Sequence, residues 1–152
     1  FELDYVYPAA PGETPLAETK RITIRLGEPF FESASTFTRA GAPVADLPLV
    51  VGVTTHNGRA RALLDPESRW AGAWDKIDGH QLGTGAVLAP GFAGEAREER
   101  NPEKDRSHAL LLTRTDSAGR LVYHVGYGWE RAGRFLTEES WTAALEARAA
   151  TP

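Results

Sequence analysis

The chain has 152 residues, a formal net charge of −4, and neither cysteine nor methionine. That length suits one domain with a sizeable core, and the acidic balance argues against nucleic acid as a partner. The lack of cysteine excludes disulfides, thiolate metal sites and a cysteine nucleophile, and no apolar run approaches the roughly 20 residues of a membrane span. Of the 17 Lys and Arg residues only Lys20, Lys76 and Lys104 are lysines, a bias expected of a GC-rich genome and not by itself a sign of an anion site.

Phe1 to Tyr7 alternates apolar and polar residues, a strand pattern. A chain that opens inside a strand and contains no methionine is expected to be the C-terminal portion of a longer protein. Pro8 to Pro15 forms a loop. Leu16 to Leu26 contains the cleanest alternation, with Ile22, Ile24 and Leu26 on one face and Arg21, Thr23 and Arg25 on the other. After the break at Gly27-Glu28-Pro29, Phe30 to Arg39 places Phe31, Ser33, Ser35 and Phe37 on one face.

Leu47 to Thr55 is almost wholly apolar and suggests a central strand covered on both sides. His56-Asn57-Gly58 then suggests a hairpin turn, with Arg59 to Leu64 as its return strand. Asp65-Pro66-Glu67 and Asp78-Gly79 are turns that bracket a strand at Arg69 to Lys76, and Gly83 to Ala89 is the next strand. Gly94 to Arg106 is charged and free of aromatics, and is expected to be an exposed loop. Ser107 to Thr115 and Arg120 to Trp129 are expected to pair as a hairpin around Asp116-Ser117-Ala118-Gly119. The one helix is placed at the end, capped by Thr137, with Glu138 and Glu139 in its first turn and Leu136 stapled onto Trp141. Residues 1–152 should therefore form one mainly β domain, an antiparallel β-sandwich with a single C-terminal helix, with part of a larger super-sandwich as an open alternative.

No motif of strong specificity is present: no H-E-x-x-H, no phosphate-binding glycine loop, no G-x-S-x-G elbow and no EF-hand spacing. None of His56, His80, His108 and His124 lies two or four residues from another, so neither a local metal pair nor any other cofactor site is indicated. His56 and His80, at a strand tip and after a turn, have positions suited to a general base. A hairpin register that pairs Leu112 with His124 would keep His108 and His124 about 13 Å apart, too far to share a metal ion. Trp70 and Trp74, four apart in a strand, would project from one face about 13 Å apart, a spacing suited to stacking on an extended sugar chain. Trp129 follows Gly126-Tyr127-Gly128, where bare glycines leave rings room. Core packing explains these tryptophans equally well, and Trp141 is assigned to packing. Asp65, Asp75 and Asp78 flank the aromatic region and are candidate acids, with turn stabilisation as the alternative role.

Several segments together resemble the C-terminal part of a bacterial family, domain of unknown function 4861. They are Val50 to His56, Trp74 to Gly85 with Asp78-Gly79 and Leu82-Gly83-Thr84-Gly85, Tyr123 to Trp129, and Glu139-Ser140-Trp141. The strand opening at Glu18-Thr19-Lys20-Arg21 also fits. The resemblance implies a longer, exported protein that accompanies the breakdown of pectin and other uronic-acid polysaccharides, hence a periplasmic or secreted setting and an oligosaccharide or polysaccharide ligand. It carries over no catalytic residue. On that expectation His56, Asp78 and His124 are the candidate catalytic groups, and Trp70, Trp74, Trp129, Arg59 and Lys76 the candidate substrate contacts. The chemistry would be uronide elimination or glycoside cleavage, in which His56 or His124 supplies a base and Arg59, Arg61 or Lys76 neutralises the carboxylate. The alternatives are a non-catalytic sugar-binding module and a structural half of a larger sandwich.

Overall fold

Short alternating segments separated by Gly, Pro and Asp turns give an almost wholly β chain. The structure, a computed structural model, describes residues 1–56 and 58–151. Its strands are β1 (Glu2–Tyr7), β2 (Leu16–Thr23), β3 (Phe30–Arg39), β4 (Ala42–Pro43), β5 (Pro48–Thr54), β6 (Arg61–Leu64), β7 (Trp70–Ile77), β8 (His80–Leu88), β9 (Gly94–Glu99), β10 (His108–Arg114) and β11 (Arg120–Trp129). A 3₁₀ turn at Glu130–Ala132 and helix α1 (Glu138–Ala149) complete it. An eight-stranded sheet runs β1-β2-β3-β11-β8-β7-β6, with β4 beside β3, and a three-stranded sheet runs β5-β10-β9; every pairing is antiparallel.

The large sheet is covered differently on its two faces. Val51, Ala109 and Leu111 of the small sheet pack on Ala71, Ala86, Leu88 and Leu121 of the large one, which makes the sandwich core. On the opposite face Trp141 and Leu145 of α1 pack with Leu63, Trp70, Val87 and Phe135. The helix comes that close because the sheet beneath it is paved with glycine. A Cβ on Gly85 would lie 2.5 Å from Leu145, one on Gly72 2.9 Å from the same side chain, and one on Gly128 2.6 Å from Phe135. Thr137 caps α1 in a capping box with Ser140. Phe135, not Leu136, is the aromatic neighbour of Trp141, edge-on at 5.1 Å, while Leu136 is exposed.

Four expectations need correction. β5 is not central but an edge strand: Leu49, Val51 and Val53 face the core, whereas Val50 on the other face is 60% exposed. β5 and β6 form no hairpin, since β5 pairs with β10 and β6 with β7; of the expected turn between them, Asn57 lies outside the described residues. The stretch from Gly94 begins as strand β9, whose charged residues are those of an edge kept from pairing further. The turn at Asp116–Gly119 forms as expected, with the Asp116 carboxylate accepting from the amides of Ala118 and Arg120. Its flanking strands nevertheless part into different sheets, because β10 pairs with β5 and β9 while β11 pairs with β3 and β8. His124 is thus opposite Glu32 and Val87, and His108 opposite Thr54 and Glu99. The turn at Asp78-Gly79 is as expected, although β8 begins at His80 and not at Gly83: Ile77 pairs with His80, and Asp78 and Gly79 both have positive φ (51° and 83°), the requirement of a type I′ turn.

Candidate functional site

The residues singled out in the sequence do not form one cluster. Trp70 and Trp74 share a face of β7, but it is the face under α1; Trp70 is 3% exposed, and its ring is committed to the helix interface, which removes it as a sugar contact. Trp74 packs half-buried against the same cluster. His124 faces the same way and is 8% exposed. Burial above all, then the Arg148 guanidinium, holds its imidazole below the ordinary histidine value, opposed by Glu32, whose carboxylate lies 3.8 Å from Nε2. It is the wrong environment for a base that must meet substrate.

Most of the charged candidates are engaged within the protein. Asp65 is a turn residue: its buried carboxylate accepts from the amides of Glu67 and Arg69. Arg59 pairs with Asp75 at 3.7 Å and Arg61 with Glu138 at 2.9 Å. Lys76 is exposed on the helix side of β7. His56, in a left-handed conformation (φ 47°), has Nδ1 3.4 Å from Asp105. Trp129 points to the other face of the large sheet and is 43% exposed. It lines a surface depression with Asp78, His80, Tyr127 and Arg131, and Tyr127 also lines the next depression along, beside His56. No cluster of three metal-ligating side chains occurs among the described residues.

The most developed site arises where the small sheet stops short. It covers β8, β7 and β6 and packs on Leu121 of β11, and leaves the same face of β1 and β2, with the adjoining part of β3 and β11, as a shelf bounded by the free edge of β5. There a cavity of about 400 Å³, within the usual size of small-molecule sites, is lined by Tyr7, Glu18, Lys20, Ser35 and Tyr123 on the shelf, with Leu49, Val50 and Val51 as the β5 wall.

Register accounts for this grouping. Glu18 lies opposite Tyr5 on β1 and Phe37 on β3, and Lys20 opposite Leu3 and Ser35. Glu18, only 3% exposed, accepts from Tyr7 Oη at 2.6 Å on Oε2 and from Ser35 Oγ at 2.6 Å on Oε1, with Lys20 Nζ 3.3 Å from Oε1. A buried carboxylate is tolerated only with such a set of donors. Burial works against the charge on Lys20, but Tyr123 and Glu18 outweigh it and hold the ammonium above its ordinary value. The Tyr7 phenol is raised, chiefly by its hydrogen bond to Glu18 and then by burial. The rings of Tyr5 and Tyr7 stack at 6.4 Å, each about two-fifths exposed, and Lys20 Nζ lies 5.5 Å from the Tyr5 centroid.

Sequence reasoning missed this cluster, although its signal was present. Extending the alternation of β2 backward from Ile22 places Lys20, Glu18 and Leu16 on the same face, so two charged residues occupy the inward parity of a strand. Ile24 and Leu26, which carried the sequence reading, lie beyond the strand end and are exposed.

No curated protein matches the chain. A family model described as Domain of unknown function (DUF4861) matches residues 1–151, which is essentially its whole length. A shared pattern over that span, laid on a sheet whose strand registers fix both the shelf and the helix platform, makes this chain a member of the DUF4861 family.

Proposed function

We propose that the chain binds an acidic saccharide on the open shelf of the large sheet. The observation that carries this reading is Glu18, buried in the cavity floor and held by Tyr7, Ser35 and Lys20. An ionised carboxylate has about four lone-pair sites; Tyr7 takes one on Oε2 and Ser35 and Lys20 take both on Oε1, so Glu18 retains one acceptor, on Oε2, for a ligand hydroxyl. Lys20 has three N–H donors, of which Glu18 and Tyr123 engage two, leaving one for a ligand carboxylate. Tyr5 and Tyr7 add exposed ring faces on which the apolar face of a pyranose can rest. Such a mixture of fixed polar groups and aromatic surface suits a ligand rich in hydroxyls that also carries negative charge. A periplasmic or secreted setting accords with such a ligand.

Binding is favoured over uronide elimination, because the groups that elimination needs do not converge. His124 is enclosed on the opposite face of the sheet, His56 stands beside Asp105, and Arg59 and Arg61 are engaged by Asp75 and Glu138. The second reading, one unit of a larger sandwich, is favoured by the shelf itself: every residue of β1 is exposed. In that case protein would fill the shelf and no saccharide would enter.

Calorimetric titration with oligogalacturonides and their neutral counterparts separates these readings. Loss of a charge-assisted hydrogen bond, worth about 1.5–3 kcal/mol, should make Lys20→Gln bind the acidic sugar roughly 10–150-fold more weakly. Its affinity for the neutral sugar should hardly change. No binding of any uronide by the folded wild-type chain would overturn the reading.

A further inference from the structure

The shelf cavity is one of a row. Tyr123, Val125, Tyr127 and Trp129 alternate along one face of β11. Tyr123 lines the Glu18 cavity, while Val125 and Tyr127 line a second depression of about 290 Å³ with Phe31, Val53 and His56. Tyr127 and Trp129 line a third, of about 520 Å³, with His80 and Arg131. On the other side the free edge of β5 follows the same course, contributing Val51 to the first depression and Val53 and Thr54 to the second. From Tyr123 to Trp129 the row extends about 20 Å at the usual strand rise.

We infer that the three depressions are successive subsites for one extended acidic polysaccharide, lying along β11 and against the free edge of β5. This rests on the saccharide reading of the shelf and adds the size and course of the ligand. Both ends of the row offer an aromatic ring paired with a cation. At the shelf Lys20 stands over Tyr5, and at the far end the Arg131 guanidinium lies 5.5 Å from the Trp129 centroid, with the His80 ring edge-on to Trp129 at 6.4 Å. The negative groups at the far end are Asp78, in the turn, and Glu130, which accepts from the Gln81 amide and lies 3.9 Å from His80. Glu130 is thus engaged within the protein.

Between the two ends the groove is mainly apolar, with Phe31, Val53 and Val125, and Thr54, His56 and Thr84 stand beside them as its polar groups. An edge strand also presents unpaired backbone N–H and C=O groups, which can meet sugar hydroxyls at each step of a chain. Tyr127, 66% exposed at the middle of the row, is a ring that nothing in the fold covers. A lone monosaccharide would leave Tyr127, Trp129 and Arg131 unused.

The test is a chain-length series of a polyuronide, from the monosaccharide and disaccharide to long oligosaccharides, titrated into the wild-type chain and into Tyr127→Ala, Trp129→Ala and Arg131→Gln. Wild-type affinity should rise at least about tenfold from the disaccharide to the long chains. Each variant should lose most of that increment while binding the monosaccharide and disaccharide as the wild type does. Tyr127→Ala and Arg131→Gln alter exposed side chains, so they remain informative should Trp129→Ala fail to fold. Long chains that bind no more tightly than the disaccharide, or an increment that survives all the variants, would overturn the inference and leave the shelf reading standing. Absence of binding at every length would overturn both.

Discussion

Gly83→Ala should cost the fold more than its single methyl group suggests. A Cβ at residue 83 would sit 2.5 Å from Cδ1 and 2.7 Å from Cδ2 of Trp141, whereas carbon atoms prefer about 3.5–4.0 Å. The indole would have to retreat by an ångström or more. It has nowhere to go, being fully buried with Phe30 stacked at 5.5 Å and Phe135 edge-on at 5.1 Å. Its Nε1 also donates to the Thr84 carbonyl at 3.1 Å, a bond that retreat would stretch. Overpacking of this kind costs about 1–3 kcal/mol and the stretched hydrogen bond about 1 kcal/mol more. For a domain of this size the sum of about 2–4 kcal/mol corresponds to a fall in melting temperature of roughly 4–16 °C. Thermal unfolding followed by circular dichroism measures it. Pairing the substitution with Trp141→Ala should make the two effects strongly non-additive, because each relieves the conflict with the other. A Gly83→Ala chain that melts with the wild type, or purely additive effects, would refute the idea that these glycines exist to let α1 approach.

Other outcomes follow from the same geometry. Thr137→Ala removes the α1 cap and should lower stability by about 1 kcal/mol in a urea titration, whereas Leu136→Ala, at an exposed site, should change it little. His124 has a depressed folded value, so the unfolded chain takes up the proton first. Its contribution is therefore fully present above about pH 6.5 and is lost as pH falls below that value. Urea midpoints should decline on acidification through that range, and His124→Gln should lessen the decline. Tyr7→Phe leaves Glu18 Oε2 without its donor inside the shelf and should destabilise by about 1–3 kcal/mol, measured in the same titration.

Local chemistry was the legible part of the fold. The Asp78-Gly79 turn, the Asp116–Gly119 turn and the Thr137 cap each depend on a few neighbouring residues, and each formed as read. Sheet membership was not legible, because a turn's residues dictate its backbone but not whether the strands it joins remain paired. Thus β10 and β11 part after a well-formed turn, and Asp116 N still donates to the Arg120 carbonyl at 2.9 Å. The apolar run of β5 misled for a related reason. Val50 lies on the outer face, and its apolar character says nothing of whether a neighbouring layer covers it.

The site divides along the same line. Gly126-Tyr127-Gly128 was read as room for rings, and the rings that use it are Phe30, Phe135 and Trp141 from within the protein. Between those glycines Tyr127 points the opposite way, into the exposed groove. Trp70 and Trp129 could not be told apart by composition, since only the position of α1 decides which is buried. Glu18 and Lys20, by contrast, could have been found from the parity of β2.

The central claim is that the shelf holds an acidic saccharide through Glu18 and Lys20. The most direct measurement is a calorimetric titration of one oligogalacturonide into the wild-type, Glu18→Gln and Lys20→Gln chains, each first shown to be folded by circular dichroism. Binding by the wild type that falls about tenfold or more in each variant is the expected result. Equal affinity in all three chains, or no heat of binding in the wild type, would contradict it.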